Sequence, residues 1–383
     1  MRIYLVAGEL SGDRLGASLI QALKQRYPQA QFRGIGGPDM QAQGLHSVEP
    51  LETLSVMGLV EVLRHLPQLL RVRRQLIKDA QAWQADLMIG IDAPDFNLGL
   101  EKRLKQKGIK TAHFVSPSVW AWRQGRLKSI KRSIDLMLTL FPFEADFYQR
   151  HQIPVAFVGH PAADRLPLVA DPLKARTELQ IAPQARVVAL LPGSRQGEVE
   201  RLGPVFLQTA QKLKLIFPEL IFVLPAATPA RYQQLAQLLK THPVEDLLLL
   251  QGQSDLALQA SDACLLASGT VTLEALFCKC PMVVAYRLAP LSWWVLKRLV
   301  KLDWVSLPNL LAQKPLVTER LQEAATPAQL AEDLGALLNQ PEQANQQTQA
   351  FYQLHQQLQR HAGQQAALAL EFLLSERDGT TEL

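Results

Sequence analysis

Along this chain, short unbroken apolar runs alternate with longer stretches in which apolar residues recur every three or four positions. The first half carries the runs RIYLVA (2–7), DLMIGI (86–91), KTAHFV (110–115), DLMLTL (135–140) and VAFVG (155–159). The second half carries RVVALL (186–191), LIFVLP (220–225), DLLLLQ (246–251), DACLLA (262–267) and PMVVAY (281–286). Runs this short and this apolar predict strands buried on both faces, and the periodic stretches between them predict covering helices. Such alternation builds parallel sheets wrapped by helices, an α/β fold.

The alternation pauses once, at HPAADRLPLVADPLKARTELQIAPQA, a Pro-, Ala- and Asp-rich stretch that reads as a linker near 165–175. With 383 residues the chain is too long for one ordinary core. The expected division is 1–170, 171–345 and a Gln- and Ala-rich helical tail, 346–383, packing back across both domains. Two Rossmann-like parallel-sheet domains of this kind turn their strand C-termini, and the loops after them, toward a central cleft.

Composition narrows the class. No run of 18 apolar residues is present, so no membrane-spanning helix is expected. The opening MRIYLVAGELSGD has one basic residue and a short apolar run, which suits a first strand better than a signal peptide. Three cysteines, Cys264, Cys278 and Cys280, form no disulfide framework, and a reducing cytoplasm follows. The eight histidines show no metal-ligand spacing, so neither a catalytic metal nor another cofactor is expected. A net charge of +5 suits acidic partners: nucleotides, phosphorylated substrates or an anionic membrane surface. RNP aromatics, zinc fingers and basic tails are missing, which argues against nucleic acid.

Candidate chemistry gathers on loops after predicted strands. AGELSGDRLG (7–16) spaces its glycines at 8, 12 and 16, which is not the G-x-G-x-x-G of dinucleotide binding. Gly8 and Gly12 allow backbone to approach a ligand, and Ser11 or Asp13 could cap the following helix. In LPGSRQGEVERL (191–202), Gly193 and Ser194 offer donors at a helix N-terminus, Arg195 adds a fork matched to phosphate, and Glu198 and Glu200 suit the first turn. In ASGTVTLEAL (267–276), Ser268, Gly269 and Thr270 turn the chain into a helix, and Glu274 lies one turn on, suited to a ribose diol. GIDAPDFN (90–97) places Asp92 and Asp95 just past a buried strand, as general-base candidates or as an Asx turn.

SPSVWAWRQGRLKSI (116–130) combines Ser116, Trp120, Trp122 and Arg123 behind a turn, either as a substrate lining or as domain core. Two basic amphipathic segments, from Val56 with Arg64, Arg71, Arg73, Arg74 and Lys78, and from Tyr286 with Trp293, Trp294, Lys297, Arg298 and Lys301, suit an anionic headgroup layer or a solvated helix face.

Taken together and in this order, GELSGD, SVMGLVEVL, GIDAPDFN, SPSVWAWRQGRLKSI, LPGSRQGEVE, ASGTVTLEAL with KCPMVVAYR, and KLDWVSLPNLL resemble the lipid-A-disaccharide synthases, from Met1 to about residue 370. The resemblance implies a two-domain glycosyltransferase of the GT-B type that works without a metal at the cytoplasmic face of the inner membrane. It implies UDP-2,3-diacylglucosamine as donor and 2,3-diacylglucosamine 1-phosphate as acceptor, with a β(1→6) tetraacyl disaccharide 1-phosphate and UDP as products. By the same resemblance Gly193, Ser194, Arg195, Ser268, Gly269, Thr270 and Glu274 bind the donor, with Gly12 and Asn309 of SLPNLL beside them. Asp92 matches the family's essential aspartate and is assigned as base, the alternative being that it positions the acceptor while Glu9 acts as base or orients the sugar; Ser116, Trp120, Trp122 and Arg123 fall on the acceptor side. A UDP-GlcNAc epimerase or a transferase for another lipid carrier is the nearest rival, and a binding protein without catalysis is a rival of another class. The oligomeric state stays open, a homodimer among the options.

Overall fold

The computed structural model describes residues 1–54, 59–122, 124–288 and 303–375, the side chains of 59–65 and of Gln124 excepted. The chain forms two compact units: Met1–Asp164 with the residues from Leu358 onward, and Arg165–Gln357. The division thus falls at Asp164–Arg165, where the sequence suggested 170, and the tail is not a unit of its own. Its last helix, Ala362–Ser375, belongs to the first unit and packs on the helix Leu10–Arg26. A Cβ at Gly363 would lie 2.5 Å from Ser18 Oγ, so only glycine permits that approach. The Asp164 carboxylate accepts the His361 and Ala362 N–H groups at 2.8 and 2.7 Å and caps this helix.

The first unit has a seven-stranded sheet: β1 (Arg2–Ala7), β2 (Gln31–Ile35), β3 (Leu45–Ser47), β4 (Leu87–Ile91), β5 (Lys110–Phe114), β6 (Leu136–Thr139) and β7 (Val155–Phe157). The second has six: β8 (Val187–Leu191), β9 (Ile221–Ala226), β10 (Leu247–Gln251), β11 (Ala263–Ala267), β12 (Met282–Tyr286) and β13 (Thr318–Leu321). Spatial order is β3-β2-β1-β4-β5-β6-β7 in one and β10-β9-β8-β11-β12-β13 in the other, parallel throughout. The central strands are sealed on both faces, Ile3–Ala7 and Val187–Leu190 having no exposed surface, because helices cover each side.

Each strand expected from an apolar run is present, within a residue or two at its ends. The sequence reading lacked β2, β3 and β13, whose residues QFRGI, LHS and TERL are broken by polar or glycine positions. β3 and β13 are sheet edges and need no continuous apolar run. In β2 the interruption is Gly34, at φ +142°, where a Cβ would meet the Leu5 carbonyl oxygen at 1.9 Å. Close strand approach demands glycine there and hides the strand from a pattern search.

Among the described residues no helix is long and apolar enough to cross a membrane. The basic segment from Val56 lies largely in the helix Leu59–Ala82, which buries Val72, Leu76 and Ala80 and exposes Arg71, Arg74 and Lys78. Residues 289–302, with Trp293 and Trp294, lie outside the described residues.

Candidate functional site

Both sheets reverse their winding at an equivalent place. From β1 the chain steps out to β2 and β3 and returns as β4 on the other side; from β8 it steps to β9 and β10 and returns as β11. Loops leaving such a strand pair diverge, and the crevice beyond their C-termini is where α/β sheets bind ligands. The glycine- and acid-bearing loops picked out in the sequence follow these four strands.

In the second unit they share one cavity of about 480 Å³, within the range of small-ligand sites. Gly193, Ser194 and Arg195 enter it after β8; Ser268, Gly269 and Thr270 enter after β11, with Glu274 from the helix Val271–Phe277. Gly193 has φ +124°, and a Cβ there would lie 2.5 Å from that of Glu198. The turn delivers two backbone donors at the start of the helix Gln196–Ile216. Glu198 Oε2 accepts from Ser194 N–H at 3.1 Å and from Arg195 N–H at 3.2 Å, and Glu198 Oε1 lies 3.6 Å from Arg195 Nη1. An internal carboxylate thus occupies the anion position that helix, turn and guanidinium create. The Arg195 side chain is 78% exposed, so its fork is available to a ligand.

Glu274 accepts from Ser254 Oγ at 3.2 Å, and burial, with Asp255 nearby, holds its carboxyl above the usual range. Ser268 Oγ donates to the Val305 carbonyl at 3.2 Å. The cavity also takes Pro225–Ala227 from the end of β9, Gly252 and Ser254 after β10, and Tyr286 at the end of β12. Reading the residues past every strand of a parallel sheet, not only the glycine-rich ones, finds these.

Asn309 is not brought into this cavity. It is buried, its Nδ2 donates to Val317 O at 3.0 Å and Glu319 Oε1 at 2.8 Å, and its Oδ1 accepts Val317 N–H at 2.8 Å. Both N–H groups of the amide and one lone pair of its oxygen are thus engaged in holding the loop before β13.

In the first unit β1 and β4 pair with Ala7 opposite Ile91, so Glu9 and Asp92 sit just past adjacent strand ends. Gly8 packs against the Asp92 turn, for a Cβ there would lie 2.6 Å from Ala93 Cβ. Gly12 lies over the end of β4, a Cβ there being 3.5 Å from Ile91 O. Asp92 and Ala93 are left-handed, at φ +53° and +42°, and Val115 after β5 is at φ +81°. Such conformations cost on the order of 1–3 kcal/mol each and concentrate at functional sites. Asn97 holds this turn, donating to the carbonyls of Asp92 at 2.8 Å and Val6 at 3.1 Å, while Asp92 N–H donates to Phe114 O at 2.8 Å. Asp13 does not cap its own helix. Its buried carboxylate accepts from Gly37, Asp39 and Met40 N–H at 2.8, 2.9 and 3.1 Å, capping the helix Pro38–Ala42.

The Ser-Pro-Ser segment wraps a buried acid. Trp120 Nε1 donates to Glu144 Oε1 at 3.2 Å, Phe141 N–H donates to Glu144 Oε2 at 3.2 Å, and Ser116 Oγ lies 3.0 Å from the Tyr148 hydroxyl. Burial pushes the Glu144 carboxyl up to about 8. Trp122 is half-buried in the same turn, and Arg123 lies outside the described residues.

These features define a fold of two α/β units, each built on a parallel sheet, and solved structures agree. A Listeria monocytogenes protein described as a putative UDP-N-acetylglucosamine 2-epimerase superposes with a TM-score of 0.67 at 12% identity, covering 99% of this chain and 97% of that one. The glycotransferase of kitacinnamycin superposes with a TM-score of 0.62 at 16% identity, covering 97% and 98%. At such identities the likeness establishes the GT-B-type fold alone, shared by epimerases and transferases. Sequence separates them. The family profile of the lipid-A-disaccharide synthetases matches residues 3–370. The lipid-A-disaccharide synthase of Chromohalobacter salexigens is 58% identical over 375 residues, 98% of this chain and 97% of that protein. Its Pseudomonas aeruginosa counterpart is 54% identical over 377 residues, 98% and 99% of the two chains. The chain belongs to the lipid-A-disaccharide synthetase family of glycosyltransferases.

Proposed function

We propose that this chain transfers the sugar of UDP-2,3-diacylglucosamine to the 6-hydroxyl of 2,3-diacylglucosamine 1-phosphate, giving the β(1→6) tetraacyl disaccharide 1-phosphate and UDP. The observation that carries the reading is the convergence of the Gly193–Arg195 and Ser268–Glu274 segments on one cavity in a chain of this family. There the diphosphate displaces the Glu198 carboxylate from the Ser194 and Arg195 N–H groups, and Arg195 neutralises the charge that builds on the leaving UDP. Glu274 accepts hydrogen bonds from the ribose hydroxyls.

Asp92 takes the proton of the acceptor's 6-hydroxyl as its oxygen attacks the anomeric carbon from the face opposite UDP. The bond to the UDP oxygen breaks as the new glycosidic bond forms, so one displacement inverts the centre with a single base. Glu9 orients the reacting sugar. Both substrates carry acyl chains, and the helix Leu59–Ala82, with Leu66 and Leu70 exposed beside Arg71 and Arg74, supports peripheral attachment to an anionic cytoplasmic membrane face.

The test is disaccharide formation in detergent with EDTA by wild type, Asp92→Ala and Arg195→Ala, with folding checked by circular dichroism. Product from wild type and near-background rates from both variants are expected. A folded wild type that makes no disaccharide but epimerises UDP-GlcNAc would replace this reading with the epimerase one.

A further inference from the structure

The helix Leu59–Ala82 presents Arg71, Arg74 and Lys78 to solvent, but Arg73 is folded under it. Its Cζ lies 5.0 Å from the centre of the Phe96 ring, and its Nη2 donates to the Asp95 carbonyl at 3.1 Å. Its Nε is enclosed without a hydrogen-bond partner among the described residues. Gly99 makes room for it, since a Cβ there would lie 2.6 Å from Arg73 Nη1. Burial lowers its pKa, and among the described residues no carboxylate forms an ion pair with it. A half-buried guanidinium without a paired carboxylate among the described residues is costly; the Phe96 ring and one carbonyl offset part of that cost, and an arriving anion would offset more.

A second guanidinium meets it at the same residue. Arg126 Nη2 lies 2.7 Å from Asp95 Oδ1; the Arg126 side chain is 28% exposed and that of Asp95 84%. Because the Asp95 carboxylate stands mostly in water, Arg126 can exchange it for another anion at little cost. Asp95 is in the first turn of the helix Pro94–Lys105, whose N-terminus also favours negative charge and directly follows the Asp92–Ala93 turn.

We propose that Arg73 and Arg126 form the subsite for the acceptor's 1-phosphate. The inference rests on the acceptor named above, whose phosphate is attached across one sugar ring from the hydroxyl that Asp92 deprotonates. Two guanidinium forks match a phosphomonoester in charge and geometry. A phospholipid headgroup presents similar chemistry and is separated by the experiment.

Binding of 2,3-diacylglucosamine 1-phosphate and of its dephosphorylated counterpart is measured by calorimetry in detergent, for wild type, Arg73→Ala, Arg73→Lys, Arg126→Ala and the control Arg103→Ala, an exposed position near the far end of the helix Pro94–Lys105. KM and kcat for both acceptors are measured in parallel. Wild type and Arg103→Ala should prefer the phosphorylated acceptor. In Arg73→Ala and Arg126→Ala, affinity for it should fall about tenfold and its KM rise to match, with the dephosphorylated acceptor and UDP affinity unchanged. Arg73→Lys, which keeps the charge and the fold of the helix, should retain part of the preference. Equal losses on both acceptors, or an intact preference, would overturn the proposal. So would a loss confined to vesicles of phosphatidylcholine with phosphatidylglycerol, relative to phosphatidylcholine alone, which would assign the pair to a headgroup. A wild type that binds the phosphorylated acceptor preferentially yet makes no disaccharide would count against the reaction above and leave this subsite standing.

Discussion

At the β1/β4 reversal the first unit carries two carboxylates, Glu9 and Asp92, on a backbone forced into left-handed conformations at Asp92 and Ala93. At the β8/β11 reversal the second unit carries backbone donors, hydroxyls and Arg195, and the left-handed position there is a glycine, Gly193. The winding is common to both, so sheet topology explains where each crevice opens but not what it does. Glycine suits a loop that must let a ligand close to its backbone. A strained aspartate suits a loop that must aim one carboxylate, and it persists because Asn97, Phe114 and the packing of Gly8 over-determine the turn.

The strongest way to break this contrast is at Asp92. Asp92→Asn should lower kcat by about 10²–10⁴-fold with UDP affinity unchanged, read by initial rates and calorimetry side by side. Weakened UDP binding with turnover retained would mean that the first crevice also serves the nucleotide. Next in size is Arg195→Ala, expected to weaken UDP binding by about 10- to 100-fold, the range of one or two charge-assisted hydrogen bonds. Glu198→Gln should do the reverse and tighten UDP, since it removes the carboxylate that competes for the same N–H groups. Unchanged UDP affinity in Glu198→Gln would show that this acid caps the helix without occupying the phosphate position.

Asn97→Ala tests whether strain at the first crevice is held or incidental. Loss of its bonds to the Val6 and Asp92 carbonyls should cost about 1–3 kcal/mol in denaturant unfolding and reduce kcat, with UDP binding unaffected. An unfolding loss with kcat unchanged would mean that the turn keeps its shape without this clamp.

The last test concerns pH. The Glu144 carboxyl titrates at about 8 in the folded protein and near 4.5 when exposed. Between those values the folded state holds a proton that the unfolded state has released, so this group's contribution to stability declines as pH rises from 4.5 to 8. Glu144→Gln should flatten that slope in urea melts taken across the range. An unchanged slope would show that the donors from Trp120 and Phe141 keep the carboxylate ionised.

Much of both crevices was legible because its signals are local. A buried strand is one short apolar run, and the loop after it announces itself by glycine, serine or aspartate within a few residues. The central strands β1, β4, β8 and β11, the Gly193–Arg195 and Ser268–Thr270 turns, and Asp92 were all readable on that basis. Ser254 lies just past β10 and Tyr286 ends β12, both equally readable strands, but neither residue stands in a glycine-rich turn that would mark it for the cavity.

Other assignments depended on partners far along the chain. Asp13 looks like the cap of its own helix, yet its acceptors are filled by N–H groups 24 to 27 residues away. Asn309 stands in a loop with no sign of its partners, yet Val317 and Glu319 engage three of the four hydrogen-bonding positions of its amide. Arg73 is one of several bases on an amphipathic helix, and nothing in its neighbourhood sets it apart from Arg71 or Arg74. Only tertiary packing places Arg73 over Phe96 and against the Asp95 carbonyl, and brings Arg126, 31 residues beyond Asp95, to that residue's carboxylate. Secondary structure and turn chemistry are decided by steric and hydrogen-bonding preferences within a few residues, which the sequence states directly. Burial, charge pairing and the meeting of distant side chains are decided by how helices dock on the sheets, and that exists only once the chain has folded.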